Sequence, residues 1–214
     1  MSQVNPDDFI ITRKRKKYKF AKFSNAENCF EADEWKLGSA DVVEVGAGDG
    51  LFLLEHSAKH PTKTFLAIDV KADRLQKGAY QALERGLENI YFVRARADQI
   101  NNLLPVKSLN EIWLTFSDPF PRKGSSGRRL THANFLRKYA RLLRPGGFIN
   151  LKHDNPDFFQ WSLEQLVKEK WHIDEISFDL HDSDLHEDYK IMTTYEQRWI
   201  KAGLKTNFVR AKIL

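Results

Sequence analysis

The sequence predicts an α/β protein with a mostly parallel, doubly wound sheet and an antiparallel edge at its C-terminal end. From Asp41 onward, short apolar strand-like segments alternate with helix-like segments, which is typical of a parallel sheet with helices on both faces. A glycine-rich turn, GAGDG at 46–50, follows the first strand. Two late strand-like segments end the pattern, and we expect them to form the antiparallel edge.

Each predicted element follows from its apolar pattern and from the turn residues around it. The predicted strands are DVVEV (41–45), TFLAIDV (64–70), IYFVRA (90–95), EIWLTF (111–116), FINLKHD (148–154), HIDEISFDL (172–180) and KTNFVRAKI (205–213). The predicted helices are LFLLEHSAKH (51–60), residues 72–85, residues 133–143, residues 156–170 and TTYEQRWIKAG (193–203). The RPGG segment at 144–147 ends the third of these helices.

The length and composition indicate how many domains the chain forms and what kind of partner it binds. The chain has 214 residues, 42% of them hydrophobic, which suffices for one substantial core. We predict one main domain at 40–214, preceded by a basic, partly flexible extension at 1–39. The extension carries RKRKKYK at 13–19, and the net charge is +5. Such a cluster favours an anionic partner, and a solvated tail is the alternative.

Cysteine and histidine usage argues against a disulfide or a metal centre. The single cysteine, Cys29, excludes an intramolecular disulfide, and a zinc site would need other ligands. His181, Asp182, Asp184 and His186 lie close together, but their spacing fits no standard site, so we predict no metal. The sequence also has no long apolar segment and no apolar signal-peptide core, so we expect a soluble, cytoplasmic protein.

The glycine-rich turn indicates a positively charged ligand rather than a phosphate. Gly46 and Gly48 allow a tight turn and close backbone approach, in a G-x-G-x-G spacing that differs from the dinucleotide pattern. Glu44 and Asp49 would repel phosphates at the helix N-terminus. S-adenosylmethionine carries an ammonium and a sulfonium and no phosphate, so it is the predicted cofactor. A structural turn with surface acids is the alternative.

Charged residues at the ends of the next two strands extend the predicted cofactor site. Asp69 ends the second strand, where an acid can accept hydrogen bonds from ribose hydroxyls. After the third strand, Arg96 could stack on an adenine ring, or Asp98 could hold its amino group. Two ordinary surface charges at a strand end are the alternative for this pair.

The loop after the fourth strand, SDPFPRKGSSGRRLTH at 117–132, combines one acid with a cationic arm. Its prolines and glycines make a regular helix unlikely. Asp118 lies where a methyl acceptor would approach, and with Phe120 it could hold a flipped base. The cations suit a nucleic-acid backbone; they are Arg122, Lys123, Arg128 and Arg129. An ordinary surface loop is the alternative.

Four motifs, in order, resemble those of bacterial tRNA (guanine-N7-)-methyltransferases: EVGAGDG, SDPFPRKGSSGRRLTH, LKHDN and TTYEQRW. The resemblance runs from about Asp41 to the C-terminus. It implies a Rossmann-like class I methyltransferase fold and methyl transfer from S-adenosylmethionine to N7 of a variable-loop guanine in tRNA. Phe120 stands where the family pattern has Trp, and the spacer GSSG at 124–127 is poorer in charge than is common.

The resemblance implies a role for each matching residue. Glu44 and Asp69, with the turn glycines Gly46 and Gly48, would bind the cofactor, whereas Arg96 occupies a place that is usually acidic and Asp98 follows it. Asp118 would be the catalytic residue and would hold the guanine. The substrate-binding residues would be Arg122, Lys123, Arg128, Arg129, Asp154, Thr193, Tyr195 and Glu196.

Two other functions remain open from the sequence. SDPF is similar to the Asp-Pro-Pro-Tyr motif of amino methyltransferases that act on adenine or cytosine, although it lacks the second proline. An inactive RNA-binding protein that kept the fold is the other alternative. We expect tRNA as the partner, no membrane, and a monomer or homodimer. His132 and His153 flank the predicted site, where packing or capping is their expected role.

Overall fold

The computed structural model describes residues 3–35, 38–200 and 203–214. Its strands are β1 (Cys29–Glu31), β2 (Val42–Val45), β3 (Phe65–Asp69), β4 (Ile90–Arg94), β5 (Leu109–Thr115), β6 (Leu143–His153), β7 (His172–Ser177) and β8 (Asn207–Lys212). Its helices are α1 (Lys14–Asn25), α2 (Leu51–Lys59), α3 (Ala72–Glu84), α4 (Ile100–Leu103), α5 (Ala133–Leu142), α6 (Pro156–Lys168) and α7 (Thr194–Ile200). Parts of the predicted extension (1–2, 36–37) and of the predicted last helix (201–202) lie outside the described residues.

The described strands form one sheet in the order β1-β4-β3-β2-β5-β6-β8-β7. The central strand β2 pairs in parallel with both β3 and β5. Because the chain runs from β2 outward through β3 and β4, and then returns to β5, the strand order reverses between β2 and β5. A crevice for a ligand forms at such a reversal, at the carboxyl ends of the strands. The predicted doubly wound sheet is confirmed.

The antiparallel edge is also confirmed, in a specific arrangement. β8 inserts between β6 and β7 and runs antiparallel to both. β7, the edge strand, therefore runs in the same direction as the parallel strands. The β6–β8 pairing brings His153, at the end of β6, opposite Asn207, at the start of β8.

Burial on both faces of the sheet explains its apolar strands. All four residues of β2 are buried. On one face, Phe52 of α2 and Leu75 of α3 pack in a cluster with Trp113 of β5. On the other face, residues of α5 and α6 pack in a second cluster with the neighbouring Ile112. Helices therefore cover both faces of the sheet, and side chains from both helical layers come together at the carboxyl ends of the strands.

The N-terminal segment contributes a helix and a strand to this fold. α1 buries Ala21 and Phe23, and β1 pairs in parallel with β4 at the edge of the sheet. Val4 exchanges two hydrogen bonds with the side chain of Asn25, which fastens the chain before α1 to its end. The sequence predicted a partly flexible extension because six cations between residues 13 and 19 obscure the helical spacing of the few apolar residues.

The strand β6 begins earlier than the sequence predicts. The predicted strand starts at Phe148, but β6 starts at Leu143 and includes the RPGG segment that was expected only to end a helix. Leu109 pairs with Leu143 and Glu111 with Phe148, so extra residues of β6 bulge out between these pairs. Gly146, at φ 78°, supplies the backbone conformation that the bulge requires.

Candidate active site

A cavity of about 640 Å³ opens at the carboxyl ends of β2, β5 and β6. It lies at the strand-order reversal, where an open α/β sheet is expected to bind its ligand. Seven residues that the sequence predicted for the cofactor or the substrate line it: Glu44, Gly46, Gly48, Asp118, Asp154, Thr193 and Tyr195. The sheet therefore brings together motifs that lie up to about 150 residues apart in the chain.

The glycine turn presents its backbone to this cavity. Gly46 and Gly48 have φ values of 77° and 60°, which favour glycine. A Cβ atom on Gly48 would meet nothing within 4 Å, so the space beside this residue is open to a ligand. The Asp69 carboxylate holds the turn, because it accepts hydrogen bonds from the amides of Gly48 (2.9 Å) and Lys71 (2.8 Å).

Close packing of α3 against the glycine turn gives a testable prediction. A Cβ atom on Gly78 would lie 2.4 Å from the Asp49 carbonyl oxygen and 2.9 Å from the Phe92 ring. Gly78→Ala should therefore destabilise the protein and weaken cofactor binding, although helix propensity alone would favour alanine by about 1 kcal/mol. Urea unfolding and calorimetric titration with S-adenosylmethionine measure both effects. Gly124→Ala is the control, since no atom lies within 4 Å of its Cβ position, and equal stability of both variants would contradict the prediction.

Glu44 is the buried acid of the site. Its side chain is fully buried, and one carboxylate oxygen accepts a hydrogen bond from the Thr115 hydroxyl. The other oxygen, Oε2, has no hydrogen-bond partner among the described residues. Burial raises the pKa of Glu44 to about 8. An unpartnered buried acceptor beside an open glycine turn fits a ligand that brings a hydrogen-bond donor or a positive charge, as S-adenosylmethionine does.

Arg96 and Asp98 lie apart from this cavity. Arg96 lines a second depression, of about 500 Å³, together with Val70 and Gln99. Its guanidinium pairs with Asp98 at 3.0 Å, and this hydrogen bond lowers the pKa of Asp98. Both side chains are largely exposed and pair with each other, as two surface charges at a strand end would. Their contact with an adenine ring stays a prediction.

Asp118 lies on a strained turn at the end of β5. Phe116 and Phe120, two residues on either side of it, have φ values of 48° and 39°, in the left-handed region that bulky residues rarely adopt. The turn leaves Asp118 exposed at the cavity. Phe120 is not among the residues that line the cavity, whereas the rings of Phe116 and Tyr195 do line it, 5.4 Å apart.

Arg129 holds this turn from the other side. Its guanidinium donates hydrogen bonds to the carbonyls of Pro119 (2.9 Å) and Phe120 (3.1 Å), and it stacks on the ring of Trp161. Two nitrogens of Arg129, Nε and Nη2, thus donate to the protein itself, and the substrate-binding role expected from the sequence stays a prediction. In contrast, Arg122, Lys123 and Arg128 are exposed, and a short 3-10 helix over Lys123–Arg128 carries the last two. Arg128 stacks on Phe120 at 4.6 Å.

His153 ties the ends of β5 and β6 together. Its Nδ1 accepts a hydrogen bond from the Asn155 amide (2.9 Å), so Nε2 carries the ring proton and donates to the Ser117 carbonyl (2.9 Å). Burial lowers the pKa of His153, so the neutral ring is retained. The histidine therefore fixes the residue before Asp118 relative to Asp154, whose carboxylate lies 3.3 Å from Nδ1. Capping was expected from the sequence, but this link across strands was not.

Glu196 belongs to the interior rather than to the cavity. Only 1% of it is exposed, and its carboxylate accepts hydrogen bonds from Lys152 (2.9 Å) and the Thr206 hydroxyl (3.2 Å) and lies 2.7 Å from His181 Nε2. Although burial raises the pKa of Glu196, the hydrogen bond of His181 and the charge of Lys152 hold it below its ordinary value. The carboxylate also accepts from the Thr193 amide and thereby caps α7.

Sequence reasoning missed several residues of the site. The buried Lys152 gave no sign of its role, because a lone lysine in a strand normally faces solvent. Lys19, the last residue of the basic run at 13–19, and Arg74 and Lys77 of α3 also line the cavity, although no sequence motif placed them there. The sequence analysis considered a metal site among residues 180–189 and predicted none. In the structure, Asp188 of this segment lies beside His56 and His60 at the C-terminal end of α2, and its carboxylate pairs with His60 (2.7 Å) and Lys59 (3.5 Å).

Comparison with known proteins agrees with this fold. A family model described as "Putative methyltransferase" matches residues 39–209. Among solved structures, the 16S rRNA methyltransferase KamB superposes with a TM-score of 0.61 at 18% identity, covering 85% of this chain and 91% of that chain. A SAM-dependent methyltransferase from Aquifex aeolicus gives 0.56 at 16% identity, covering 85% of this chain and 87% of that one. The fold and site thus define a Rossmann-like class I methyltransferase.

Comparison with curated relatives identifies the particular family within this class of methyltransferases. The tRNA (guanine-N(7)-)-methyltransferase of Mycoplasmopsis pulmonis is 36% identical over 187 residues, 86% of this chain and 90% of that protein. The enzyme of the same name from Bacteroides thetaiotaomicron is 34% identical over 173 residues, 80% of this chain and 68% of that protein. The chain belongs to the tRNA (guanine-N(7)-)-methyltransferase family. No helix in the described part of the chain has the length and apolarity needed to cross a bilayer.

Proposed function

We propose that this protein transfers a methyl group to N7 of a guanine in the variable loop of tRNA. The observation that carries the proposal is the position of Asp118, whose exposed carboxylate shares one cavity with Glu44 and the glycine turn. S-adenosylmethionine, which its family uses as methyl donor, supplies an electrophilic methyl group on a sulfonium. The protein is expected to act in the cytoplasm, where its tRNA substrate would be modified.

The residues of the cavity suit a guanine whose N7 needs no deprotonation. N7 carries a lone pair and no proton, so the protein has to align the base rather than remove a proton from it. Asp118 and Asp154 face the cavity and can accept hydrogen bonds from guanine N1–H and its exocyclic amine. Adenine lacks this pair of donors, so the two acids would select guanine. A carboxylate beside the ring also stabilises the positive charge that develops on it during transfer.

Two further elements would shape the guanine site. Tyr195 lines the cavity beside Phe116, and its half-exposed ring can stack on a base. Glu196 acts through Tyr195 and Thr193, because its buried contacts with Lys152 and His181 fix the start of α7. We therefore assign Glu196 a positioning role in place of the direct substrate-binding role that the family resemblance implied.

The bound cofactor would be held by the glycine turn and the buried acid. Glu44 Oε2 is the acceptor left open, and Gly46 and Gly48 let a ligand approach the backbone. Asp69 already accepts hydrogen bonds from two amides, but each carboxylate oxygen can accept a second one from a ribose hydroxyl. The Arg96–Asp98 pair would border the adenine end.

The raised pKa of Glu44, about 8, predicts that S-adenosylmethionine binds more weakly at low pH. Below this pKa the free protein holds Glu44 neutral, and a proton must leave before the carboxylate can attract a cationic ligand. Affinity should therefore fall as the pH drops from about 8 to 6, by up to about tenfold per unit. Calorimetric titration across this range measures it.

Glu44→Gln is the control for this pH dependence, since glutamine keeps the shape and cannot ionise. Its affinity should be weaker and nearly independent of pH in this range. Without cofactor, the stability of the wild type should also fall relative to the variant as pH rises from 4.5 to about 8, because Glu44 ionises first in the unfolded chain. A flat wild-type affinity profile would contradict the assignment of Glu44 to the cofactor.

Methyl transfer from labelled S-adenosylmethionine to unmodified bulk tRNA, followed by borohydride–aniline cleavage, tests the proposed function. Label in tRNA with cleavage at the variable loop would support it. Label without cleavage would point to amino methylation of adenine or cytosine instead. No label on tRNA, with a folded protein that binds S-adenosylmethionine, would indicate a protein that binds RNA without modifying it.

A further inference from the structure

One face of α1 carries a row of basic and aromatic side chains. Arg15, Tyr18, Lys19 and Lys22 are spaced i, i+3, i+4, i+7, so they lie along one side of the helix. The opposite side packs on the protein through Ala21 and Phe23. Arg15 and Lys22 are exposed, and 53% of Tyr18 is exposed. We refer to these four side chains as the basic face of α1.

The basic face leads into the active-site cavity. Lys19 lines the cavity, and beside it lie Arg74 and Lys77 of α3, the helix against which α1 packs. Lys22 lies 5.0 Å above the ring of Tyr80, also on α3. Lys77 is paired with Asp49 (3.1 Å), whereas Lys19 and Arg74 carry positive charge from α1 to the cavity that holds Asp118.

The positive charge of this face is largely uncompensated. Within the described residues, the ion pairs of α1 are limited to that of Lys17, on a different side of the helix, with Asp7 at 3.5 Å. A surface cation without an acidic partner gains no ion-pair energy, and a tyrosine that is half exposed contributes little to the core. Cations in a row with an exposed aromatic ring suit the phosphates and bases of a nucleic acid.

The basic face and the loop at 117–132 approach the cavity from different faces of the sheet. α1 and α3 pack with α2 on one face, whereas the loop leads from β5 into α5 on the other. The exposed cations of the loop are Arg122, Lys123 and Arg128. A folded RNA whose target base enters the cavity would thus have positive charge on both sides of that base.

We infer that the basic face of α1 is a second tRNA-binding surface, which contacts the backbone on the side of the target guanine away from the loop. The inference rests on the proposed function and adds to it a binding element outside the motifs shared with the family. Tyr18 would stack on an unpaired base or ribose, and the three cations would contact phosphates.

The salt dependence of tRNA binding tests this inference. The variant Arg15→Gln, Lys19→Gln, Lys22→Gln removes three cations, so the slope of log affinity against log salt should decrease in magnitude by about 2–3. At about 0.1 M salt, the affinity for tRNA should fall on the order of 100-fold. A separate Tyr18→Ala variant should lose affinity with the slope unchanged, whereas Tyr18→Phe should keep it.

A matched control distinguishes the effect of removing the cations of this face from the effect of lowering the total charge of the protein. Lys107→Gln, Arg144→Gln, Lys168→Gln removes the same charge from exposed positions away from the cavity. Its slope should stay within about 0.5 of the wild type. Equal losses in both triple variants, or a wild-type slope in the α1 variant, would overturn the inference even where the wild type methylates tRNA. A wild type that neither binds nor methylates tRNA would overturn the proposed function itself.

Discussion

Asp118→Asn is expected to lower kcat for tRNA methylation by about 10²–10³-fold while the affinity for S-adenosylmethionine changes little. Asparagine keeps the shape of the side chain and the strained turn around it. It cannot supply the negative charge that stabilises a positively charged guanine ring, and its amide presents donors to the donors of the base. Steady-state methyl transfer at saturating tRNA and S-adenosylmethionine measures kcat, and calorimetry measures cofactor affinity.

Asp157→Asn is the matched control for this variant. Asp157 is an exposed acid in the first turn of α6, near the active site, and it does not line the cavity. The kcat of the Asp157→Asn variant should stay within about twofold of the wild-type value. If Asp118→Asn weakened cofactor binding as strongly as it slowed methyl transfer, Asp118 would belong to the cofactor site and its proposed role toward guanine would be wrong.

The second large effect is expected on stability. Lys152→Met should lower the free energy of unfolding by about 3–5 kcal/mol, because it leaves the buried Glu196 carboxylate without its cationic partner. Lys152 is fully buried, and its Nζ donates to Glu196 (2.9 Å) and to the Ile191 carbonyl (2.8 Å). Burial lowers the pKa of Lys152, and the adjacent Glu196 carboxylate opposes this shift.

Urea unfolding of two further variants tests whether the unpaired charge of Glu196 causes this loss of stability. The double variant Lys152→Met, Glu196→Gln should lose less stability than Lys152→Met alone, because no unpaired charge stays buried in it. Lys168→Met, at an exposed position of α6, should change stability by less than about 0.5 kcal/mol. A double variant less stable than Lys152→Met would show that Glu196 is stabilised by its other contacts and not by the lysine.

This buried pair also links stability to the active site. Lys152 lies in β6, one residue before His153, which fixes the turn that carries Asp118. Through Glu196 the same lysine fixes the start of α7, where Thr193 and Tyr195 face the cavity. Loss of the pair should therefore weaken the alignment of the guanine site as well as the fold.

The sequence alone determined the fold class and most of the cavity. Strand-helix alternation and the GAGDG turn depend on local periodicity and backbone conformation, which a sequence displays directly. Because parallel strands end at one edge of a sheet, the acids Glu44, Asp118 and Asp154 could be expected at a common site before any coordinates were known. All three line the cavity.

Only the tertiary structure decided which charged side chains face the cavity and which contact the protein interior. Arg129 and Glu196 match the family motifs as well as Asp118 does, yet Arg129 donates to the turn and Glu196 is buried against Lys152. Whether a charged group meets solvent or a buried partner depends on contacts between residues distant in the chain, and no local pattern records these. For the same reason, the helical α1 and the position of Lys19 at the cavity emerged only when α1 was seen packed on α3.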